Sequence, residues 1–377
     1  MFLKNIKSVI GQNLHNLKGW SSKRKIIVIE SDDWGSIRMP SKEVYDSLIE
    51  SGIRVDRDFF ARYDSLASES DLNALFDVLL SHRDKNGNNP VITANVIVAN
   101  PDFEKIRASD FSAYFYERCD ETMRQYPKHA NALSLWKEGM QKRIFHPQLH
   151  GREHLNVSLW MKFLKENSTE TRMAFDKNMF AINPEISSEK RSTYMAAFEY
   201  QHPSEIEGQR EIIKQAQQIF TELFGYKSKS FIAPNYIWDA ALESTMNDCG
   251  IQYIQSSRSQ ITPKDASGKR RYIKHFTGEK NKHGQLFLVR NCIFEPAVDV
   301  SKKHVEVCLS QIEAAFRWRK PAIISSHRIN YVGFMDEKNS IANLKMLDEL
   351  LSKVLKKWPD AEFMTSDQLG DLISSGH

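Results

Sequence analysis

Two adjacent aspartates, Asp32 and Asp33, stand at the end of an apolar run, residues 25–30 (KIIVIE). Like charges side by side are costly unless something offsets them, and a bound cation does so. One carboxylate would then coordinate the cation while its neighbour serves as a base. The alternative is a pair of turn or capping aspartates before the Met-Pro at residues 39–40. The pair alone does not decide between a metal site and a turn.

Two histidines four residues apart, His146 and His150, follow another apolar run, residues 143–145. If they lie on a helical turn, both side chains share one face. Two His and one Asp form a facial ligand set with positions open for water and substrate. Many such pairs are only surface or core histidines. We expect the nearby His154 to be structural or to support the ligands from outside.

Two further apolar runs end in residues that could do chemistry. His327 closes the segment PAIISSH, where it could act as a general acid or base, or be a buried histidine bonded to backbone. Residues 230–233 are followed by Pro234, Asn235 and Tyr236, and the backbone amides there could donate hydrogen bonds to a developing oxyanion.

These residues need a scaffold that brings strand ends together. Amphipathic helical stretches alternate with short apolar runs, which predicts right-handed β/α crossovers and a parallel sheet. About eight such units favour a closed or nearly closed barrel, with functional side chains where strands end. The apolar runs are residues 25–30, 91–99, 143–145, 230–233, 252–255, 286–294, 322–325 and 362–365.

The order of Asp-Asp, His-x3-His, a Pro-containing turn and a late strand ending in His resembles the polysaccharide deacetylases, the metal-dependent carbohydrate esterases of family four. The resemblance extends over residues 26–369. It implies an α/β fold, a distorted (β/α)7–8 barrel with helical insertions. It also implies a hydrolase of carbon–nitrogen (non-peptide) bonds that removes N-acetyl or O-acetyl groups from a polysaccharide or its precursor, with acetylated amino sugars as substrate.

The resemblance also implies residue roles. Asp32 would be the catalytic base and His327 the general acid, while Asp33, His146 and His150 would hold one divalent metal ion. Zinc is expected first, and Mn, Fe, Co and Ni are alternatives for such a ligand set. Candidate substrate-binding residues are Trp34, Asn235, Tyr236, Arg328 and Glu295, with Trp238 and Tyr331 as further sugar-stacking candidates.

One position departs from the family pattern. Ile232 stands two residues before Pro234, where the family usually has an arginine that steadies the base. Arg328 could supply the missing cation. Two other functions stay open: a glycoside hydrolase on a related barrel, with Glu295 and an Asp as its carboxylate pair, and a non-catalytic glycan-binding protein that retains the metal site.

Net charge and cysteine spacing limit which binding partners and which metal ligands are expected. The 377 residues have a formal net charge of +4, which gives no reason to expect nucleic-acid binding. The four cysteines form no CxxC pair, which excludes a disulfide scaffold and a cysteine-rich zinc module. A metal would therefore have to bind Asp and His.

We predict one barrel domain, residues 23–377, with insertions at about 102–141 and 169–201 and a mobile basic loop at 262–283. Residues 1–22 are predicted to form an amphipathic helix, and residues 1–20 could contact a membrane surface peripherally. No export signal is evident, so we expect a cytoplasmic location, with peripheral attachment to the inner membrane face as an option.

Overall fold

A curled sheet of parallel strands forms the centre of the computed structural model, which describes residues 13, 16–180, 182–265, 267–299 and 301–376. The strands are β1 (Lys25–Trp34), β2 (Ile92–Ile97), β3 (Ala99–Pro101), β4 (Tyr116–Arg118), β5 (Phe145–Gly151), β6 (Ser230–Ile232), β7 (Tyr253–Ser256), β8 (Ser259–Ile261), β9 (Tyr272–Lys274), β10 (Leu286–Val289), β11 (Cys292–Ile293), β12 (Ala322–His327) and β13 (Ala361–Met364).

Helices alternate with these strands and cover the sheet. The α-helices are α1 (Lys42–Glu50), α2 (Phe59–Tyr63), α3 (Glu69–Leu80), α4 (Phe103–Ala108), α5 (Cys119–Gln125), α6 (Ala132–Gln141), α7 (Val157–Lys165), α8 (Thr169–Phe175), α9 (Ile206–Phe224), α10 (Glu243–Asp248), α11 (His304–Arg317), α12 (Glu337–Lys357) and α13 (Ser366–Ser374). Short 3-10 turns at Val55–Arg57, Pro203–Glu205, Pro234–Tyr236, Ala240–Leu242 and Arg328–Asn330 complete the regular structure.

The strands of the curled central sheet are all parallel. Its strand order is β10-β7-β6-β5-β2-β1-β12-β11, with β13 paired to the first half of β1, and every pairing is parallel. The two end strands are consecutive in sequence, separated by Arg290 and Asn291. The backbone amide of Arg290 donates to Ser256 (2.9 Å), and that of Asn291 donates to Ile323 (3.1 Å). The predicted α/β class and distorted (β/α) barrel are therefore confirmed.

The strands are apolar because both of their faces are covered. Ile26, Ile27, Val28 and Ile29 in β1 are each at most 2% exposed, as expected for a parallel strand with side chains inside the barrel and others under the helices. The predicted segments match the strands closely, apart from two. The run at residues 286–294 breaks at Arg290 into β10 and β11, and β5 begins at Phe145, where the predicted run ends.

The predicted helical insertion at 102–141 and the predicted loop at 262–283 both contain short strands. Residues 102–141 carry α4, α5, α6 and strand β4, which pairs antiparallel with β3. Residues 262–283, predicted as a mobile loop, contain β9, which forms an antiparallel hairpin with β8. The division into an N-terminal helix and one barrel domain stays a prediction, since residues 1–12, 14 and 15 of that helix lie outside the described residues.

Among the described residues, no helix is long and apolar enough to cross a membrane. The cytoplasmic location and the membrane contact through residues 1–20 stay predictions.

A buried ion pair supports the rim of the barrel. Arg328 is fully buried and donates from Nε and Nη2 to the two carboxylate oxygens of Asp64, at 3.0 Å each. Its Nη1 donates to the carbonyl of Ser36 (2.8 Å), so it ties the segment after β12 to the segment after β1. Arg328 was expected to steady the base or to bind substrate, but its guanidinium instead donates to Asp64 and Ser36.

Replacing Arg328 should destabilise the fold, because it leaves the carboxylate of Asp64 buried without its main partner. We expect Arg328→Met to lower the free energy of unfolding by about 3 kcal/mol. The loss should be no larger, since Arg38 Nε remains 3.6 Å from Asp64. The matched control is Arg54→Met, which breaks an exposed pair with Asp56 and should leave the free energy of unfolding nearly unchanged. Urea unfolding measures both, and equal losses would contradict the prediction.

Candidate functional site

The carboxyl ends of the strands surround a cavity of about 780 Å³. Asp32 and Asp33 of β1, His150 of β5 and His327 of β12 line it, together with His154 from the loop after β5. Residues 179–180, residues 183–199 and the β8–β9 hairpin supply a further part of the wall. This volume lies within the range of small-molecule binding sites.

A β-bulge turns both aspartates toward the cavity. Successive residues of a regular strand point to opposite faces, but the pairing of β1 with β2 shifts register between Ser31 and Trp34. Asp33 lies inside that shift with φ of 74°, a left-handed conformation that costs free energy for a non-glycine residue. Gly35 follows with φ of 88° and packs so tightly that a Cβ would lie 2.3 Å from the carbonyl oxygen of Ile97. The strained backbone therefore places two adjacent carboxylates in one site.

Asp32 is held as a carboxylate by a buried arginine. Arg290 Nη2 and Nη1 donate to its Oδ1 (2.6 Å) and Oδ2 (2.7 Å), and Asn95 Nδ2 donates to Oδ1 (2.7 Å). Burial raises the pKa of Asp32, but the charge and hydrogen bonds of Arg290 outweigh burial and lower it. The same guanidinium donates from Nε to Glu30 (2.6 Å), which is itself fully buried.

Arg290 performs the supporting role expected at Ile232, and the sequence analysis did not identify it. The available signal was a single arginine inside the apolar run LFLVRNCIF. A charged residue there must find a buried carboxylate, because an unpaired buried charge is very costly. Asn95, inside β2, was also missed, because its partner Asp32 lies 63 residues away in sequence.

Asp33, His150 and His154 form a cluster whose geometry fits a divalent metal ion. Asp33 Oδ1 is buried without a hydrogen-bond partner among the described residues. The Nε2 atoms of His150 and His154 lie 3.5 and 3.4 Å from it. Ligand atoms about 2.1 Å from a tetrahedral metal ion are about 3.4 Å apart, so the spacing matches such an ion.

The protonation states of these histidines also fit a metal. His150 Nδ1 lies 2.8 Å from the carbonyl oxygen of Ile232, which only accepts, so Nδ1 carries the proton and Nε2 offers a lone pair. Burial lowers the pKa of His154 to about 3, which keeps that ring neutral at neutral pH. Arg38 Nη2 donates to the other oxygen of Asp33 (2.9 Å), fixing the carboxylate. The structure therefore supports His154 as a ligand instead of the predicted outside role.

His146 is not part of this cluster. The segment HPQLH lies in strand β5, not on a helical turn, and four residues along a strand span about 13 Å. His146 Nε2 instead lies 3.1 Å from Asp367, and its ring stacks on Tyr226. The structure therefore does not bring His146, which was predicted as a metal ligand, to Asp33, His150 and His154.

His327 stands beside Asp32 and is held by Glu295. Its Nδ1 donates to Glu295 Oε1 (2.6 Å), its Nε2 lies 3.7 Å from Asp32 Oδ2, and Asn330 Nδ2 donates to the other oxygen of Glu295 (2.8 Å). Burial lowers the pKa of His327, but the carboxylates of Glu295, Asp32 and Asp33 outweigh burial and raise it to about 10. The cavity thus contains an imidazolium next to a carboxylate.

Two of the five predicted substrate-binding residues line the cavity. Asn235 and Tyr236 line the cavity, both with φ of 57°, and the Tyr236 hydroxyl accepts from Arg290 (3.0 Å). Glu295 does not line the cavity and lies behind His327. The predicted sugar-stacking residues are Trp34, Trp238 and Tyr331. Each is at most 1% exposed and packs in the core, so it cannot contact a ligand in the cavity.

Comparison with family models finds a match to "Glycosyl hydrolase family 57" over residues 110–288, somewhat less than half of the chain. Comparison with curated protein sequences finds no match. The matched segment contains β5 to β9 and therefore His150, His154 and the hairpin wall of the cavity. The family match supports a carbohydrate as substrate, but it gives no support for acetylated amino sugars.

Several solved structures are similar in fold. A 4-alpha-glucanotransferase from Thermococcus litoralis has 9% identity and a TM-score of 0.45; the alignment covers 92% of this chain and 40% of that one. A probable polysaccharide deacetylase from Pseudomonas aeruginosa PAO1 has 10% identity, a TM-score of 0.45 and coverages of 95% and 94%. A polysaccharide deacetylase from Bacillus cereus has 12% identity, a TM-score of 0.29 and coverages of 71% and 63%. At these values the likenesses carry no functional argument.

The family match corrects the expected activity. The chain was predicted to be a polysaccharide deacetylase that hydrolyses carbon–nitrogen bonds, and the matching model is instead that of a glycosyl hydrolase family. Both the family and the bond type predicted from the sequence are therefore wrong. The glycoside hydrolase alternative is the one that the match favours. The order of aspartates and histidines led to the wrong family because similar strand ends can hold similar polar groups on different barrels.

Metal binding should depend on His154 and not on His146. Apo-protein loaded with Zn²⁺ should bind one ion and unfold at a higher temperature, because the ion binds only the folded chain. His154→Ala and Asp33→Asn should lose both effects, whereas the matched variant His146→Ala should keep them. Metal analysis and thermal unfolding measure this on the same samples. Loss of zinc from His146→Ala, with retention by His154→Ala, would contradict the assignment.

Proposed function

We propose that this protein hydrolyses a glycosidic bond of a carbohydrate, in the cavity at the carboxyl ends of the strands. The observation that carries the proposal is the match to glycosyl hydrolase family 57, because residues 110–288 build one wall of that cavity. His150, His154, Asn235 and Tyr236 all belong to the matched segment and line the cavity.

The groups needed for this chemistry lie next to each other. Cleavage of a glycosidic bond passes through a transition state with positive charge at the anomeric carbon, and the leaving oxygen must receive a proton. Asp32, kept ionised by Arg290, would stabilise the positive charge. His327 would donate the proton, since its raised pKa keeps it protonated at neutral pH.

One residue can then handle both proton transfers. His327 Nε2 gives its proton to the leaving oxygen as the bond from the anomeric carbon to that oxygen breaks. The neutral imidazole then takes a proton from the water that attacks the anomeric carbon. The products are two hydroxyl-bearing sugars, and the histidine returns to its starting state. Glu295 positions the ring through Nδ1 and leaves Nε2 facing the cavity.

The carboxylate pair in this proposal differs from the one expected from the sequence. Glu295 was expected to act with an aspartate as the catalytic pair. It is separated from the cavity by His327, so the proposal gives Glu295 a positioning role and gives the proton donor's role to the histidine.

We further propose that Asp33, His150 and His154 hold one divalent cation, with zinc first and Mn, Fe, Co or Ni as alternatives. Bound there, such an ion would act as a Lewis acid toward sugar oxygens. Arg38 and the carbonyl of Ile232 keep the carboxylate and the imidazole of His150 in orientations that suit a cation. The neutral ring of His154 avoids repulsion with it.

The direct experiment uses the metal-loaded full chain with a panel of oligosaccharides that differ in sugar and in linkage. New reducing ends and shorter chains are expected for at least one member. Binding of glycans with no cleavage of any member would contradict the proposal and favour the non-catalytic glycan-binding alternative.

Two substitutions should remove that activity without unfolding the protein. Asp32→Asn and His327→Gln should each lower kcat/KM by about 10²- to 10⁴-fold, because each removes a group that acts only in the transition state. The matched controls, Asp46→Asn and His202→Gln, change exposed residues outside the cavity and should leave kcat/KM unchanged. Thermal unfolding checks that all four fold. Full activity in His327→Gln would refute its role as the proton donor.

A further inference from the structure

The β8–β9 hairpin beside the cavity is strongly basic. Residues 259–274 contain five lysines and arginines and one aspartate, so the hairpin's net charge of +4 equals that of the whole chain. Four of the five basic side chains are exposed, namely Lys264, Lys269, Arg271 and Lys274. A concentration of charge of this kind on one side of a cavity attracts ligands of opposite charge.

Most of this positive charge has no carboxylate partner. Among the described residues, only Arg270 of the hairpin forms an ion pair, with the buried carboxylate of Glu199. Asp265, the one acid of the hairpin, accepts hydrogen bonds from the backbone amides of Ser267 (2.9 Å) and Lys269 (3.0 Å), which close its turn. The hairpin therefore keeps uncompensated positive charge next to the cavity.

Glu199 fixes that charge at the cavity wall. It is 2% exposed and accepts a hydrogen bond from the backbone amide of Lys264 (2.8 Å) in addition to its pair with Arg270. Both Lys264 and Arg270 line the cavity. The Lys264 ammonium lies 3.5 Å from the Ser192 hydroxyl, its one hydrogen-bond contact among the described residues.

The carboxylates deeper in the cavity already have other cationic partners. Asp32 is paired with Arg290, and Asp33 with Arg38. Two more acids line the cavity. Asp58 caps α2 by accepting from the Phe60 amide (3.0 Å), and Glu185 is exposed to solvent. Lys264 and Arg270 of the hairpin therefore face the volume that a ligand would fill, and exposed Arg271 follows Arg270 directly in the chain.

We infer that the substrate is a saccharide with an anionic group, a carboxylate or a phosphate, that binds against Lys264, Arg270 and Arg271. Lysine and arginine bind both kinds of anion, and arginine does so with paired hydrogen bonds. Exposed Tyr272, at 67%, adds an aromatic surface of the kind that packs on sugar rings. The inference rests on the proposed function and narrows its substrate class.

The test compares two oligosaccharides of equal length and linkage, one neutral and one with uronic acid units. Equilibrium binding to the full chain is measured for the wild type, for Lys264→Ala/Arg271→Ala, and for the matched control Lys345→Ala/Lys356→Ala on α12, outside the cavity. The wild type and the control should bind the acidic ligand about three- to tenfold more tightly, and the hairpin variant should lose that preference. Raising the salt concentration should reduce the preference as well.

A third arm separates the two anion sources. Competition of inorganic pyrophosphate with the acidic oligosaccharide would assign phosphate as well as carboxylate to the hairpin, and lack of competition would restrict the site to carboxylates; either result supports the inference. Equal affinity for both oligosaccharides, or an unchanged preference in the hairpin variant, overturns it.

The failure of this inference and that of the proposed function look different. Cleavage of neutral glycosides with no preference for acidic ones would overturn the anionic substrate and leave the proposed hydrolase intact. Hairpin-dependent binding of the acidic ligand, without cleavage of any glycoside, would overturn the proposed hydrolase and leave the anionic ligand intact.

Discussion

One buried guanidinium, that of Arg290, connects the barrel to its chemistry. Arg290 lies between the two end strands of the sheet, and its backbone amide donates to the carbonyl oxygen of Ser256 in β7. Its side chain is shared by Glu30 and Asp32, two carboxylates that are both nearly inaccessible to water. Without it, the buried carboxylate of Glu30 would lack its counterion and Asp32 would lose two charge-assisted hydrogen bonds, a large loss of stability. The residue that links the two end strands therefore also keeps Asp32 ionised.

A second chain of ion pairs explains how the fold tolerates strain at Asp33. The left-handed backbone there costs free energy, yet it lets both aspartates reach the cavity from adjacent positions. Arg38 bonds to Asp33 and lies 3.6 Å from Asp64, and Asp64 in turn pairs with buried Arg328. These contacts hold the loops after β1 and β12 against one another. The strained residue thus belongs to a network that fixes its conformation.

The residue pattern predicted the barrel well and the site only in part. Periodicity in the apolar runs located the strands, and Asp32, Asp33, His150 and His327 do line one cavity. His146 was predicted beside His150 but lies away from it. A spacing of four residues occurs in helices and in strands, and only a helix brings such residues together.

The missed residues needed information that local spacing does not contain. Arg290 and Asn95 act on Asp32 from positions far away in sequence, so three-dimensional contacts were required to recognise them. The polar motif order was also shared with a family that the matching model does not support, which is why the expected bond type was wrong.

The most direct test of the central claim is hydrolysis in water labelled with oxygen-18, followed by mass spectrometry of the products. Cleavage of a glycosidic bond in this cavity predicts shorter saccharides with one labelled oxygen at the new reducing end, lost in the Asp32→Asn variant. Saccharides of unchanged length, with the label in a small released acid, would contradict the account.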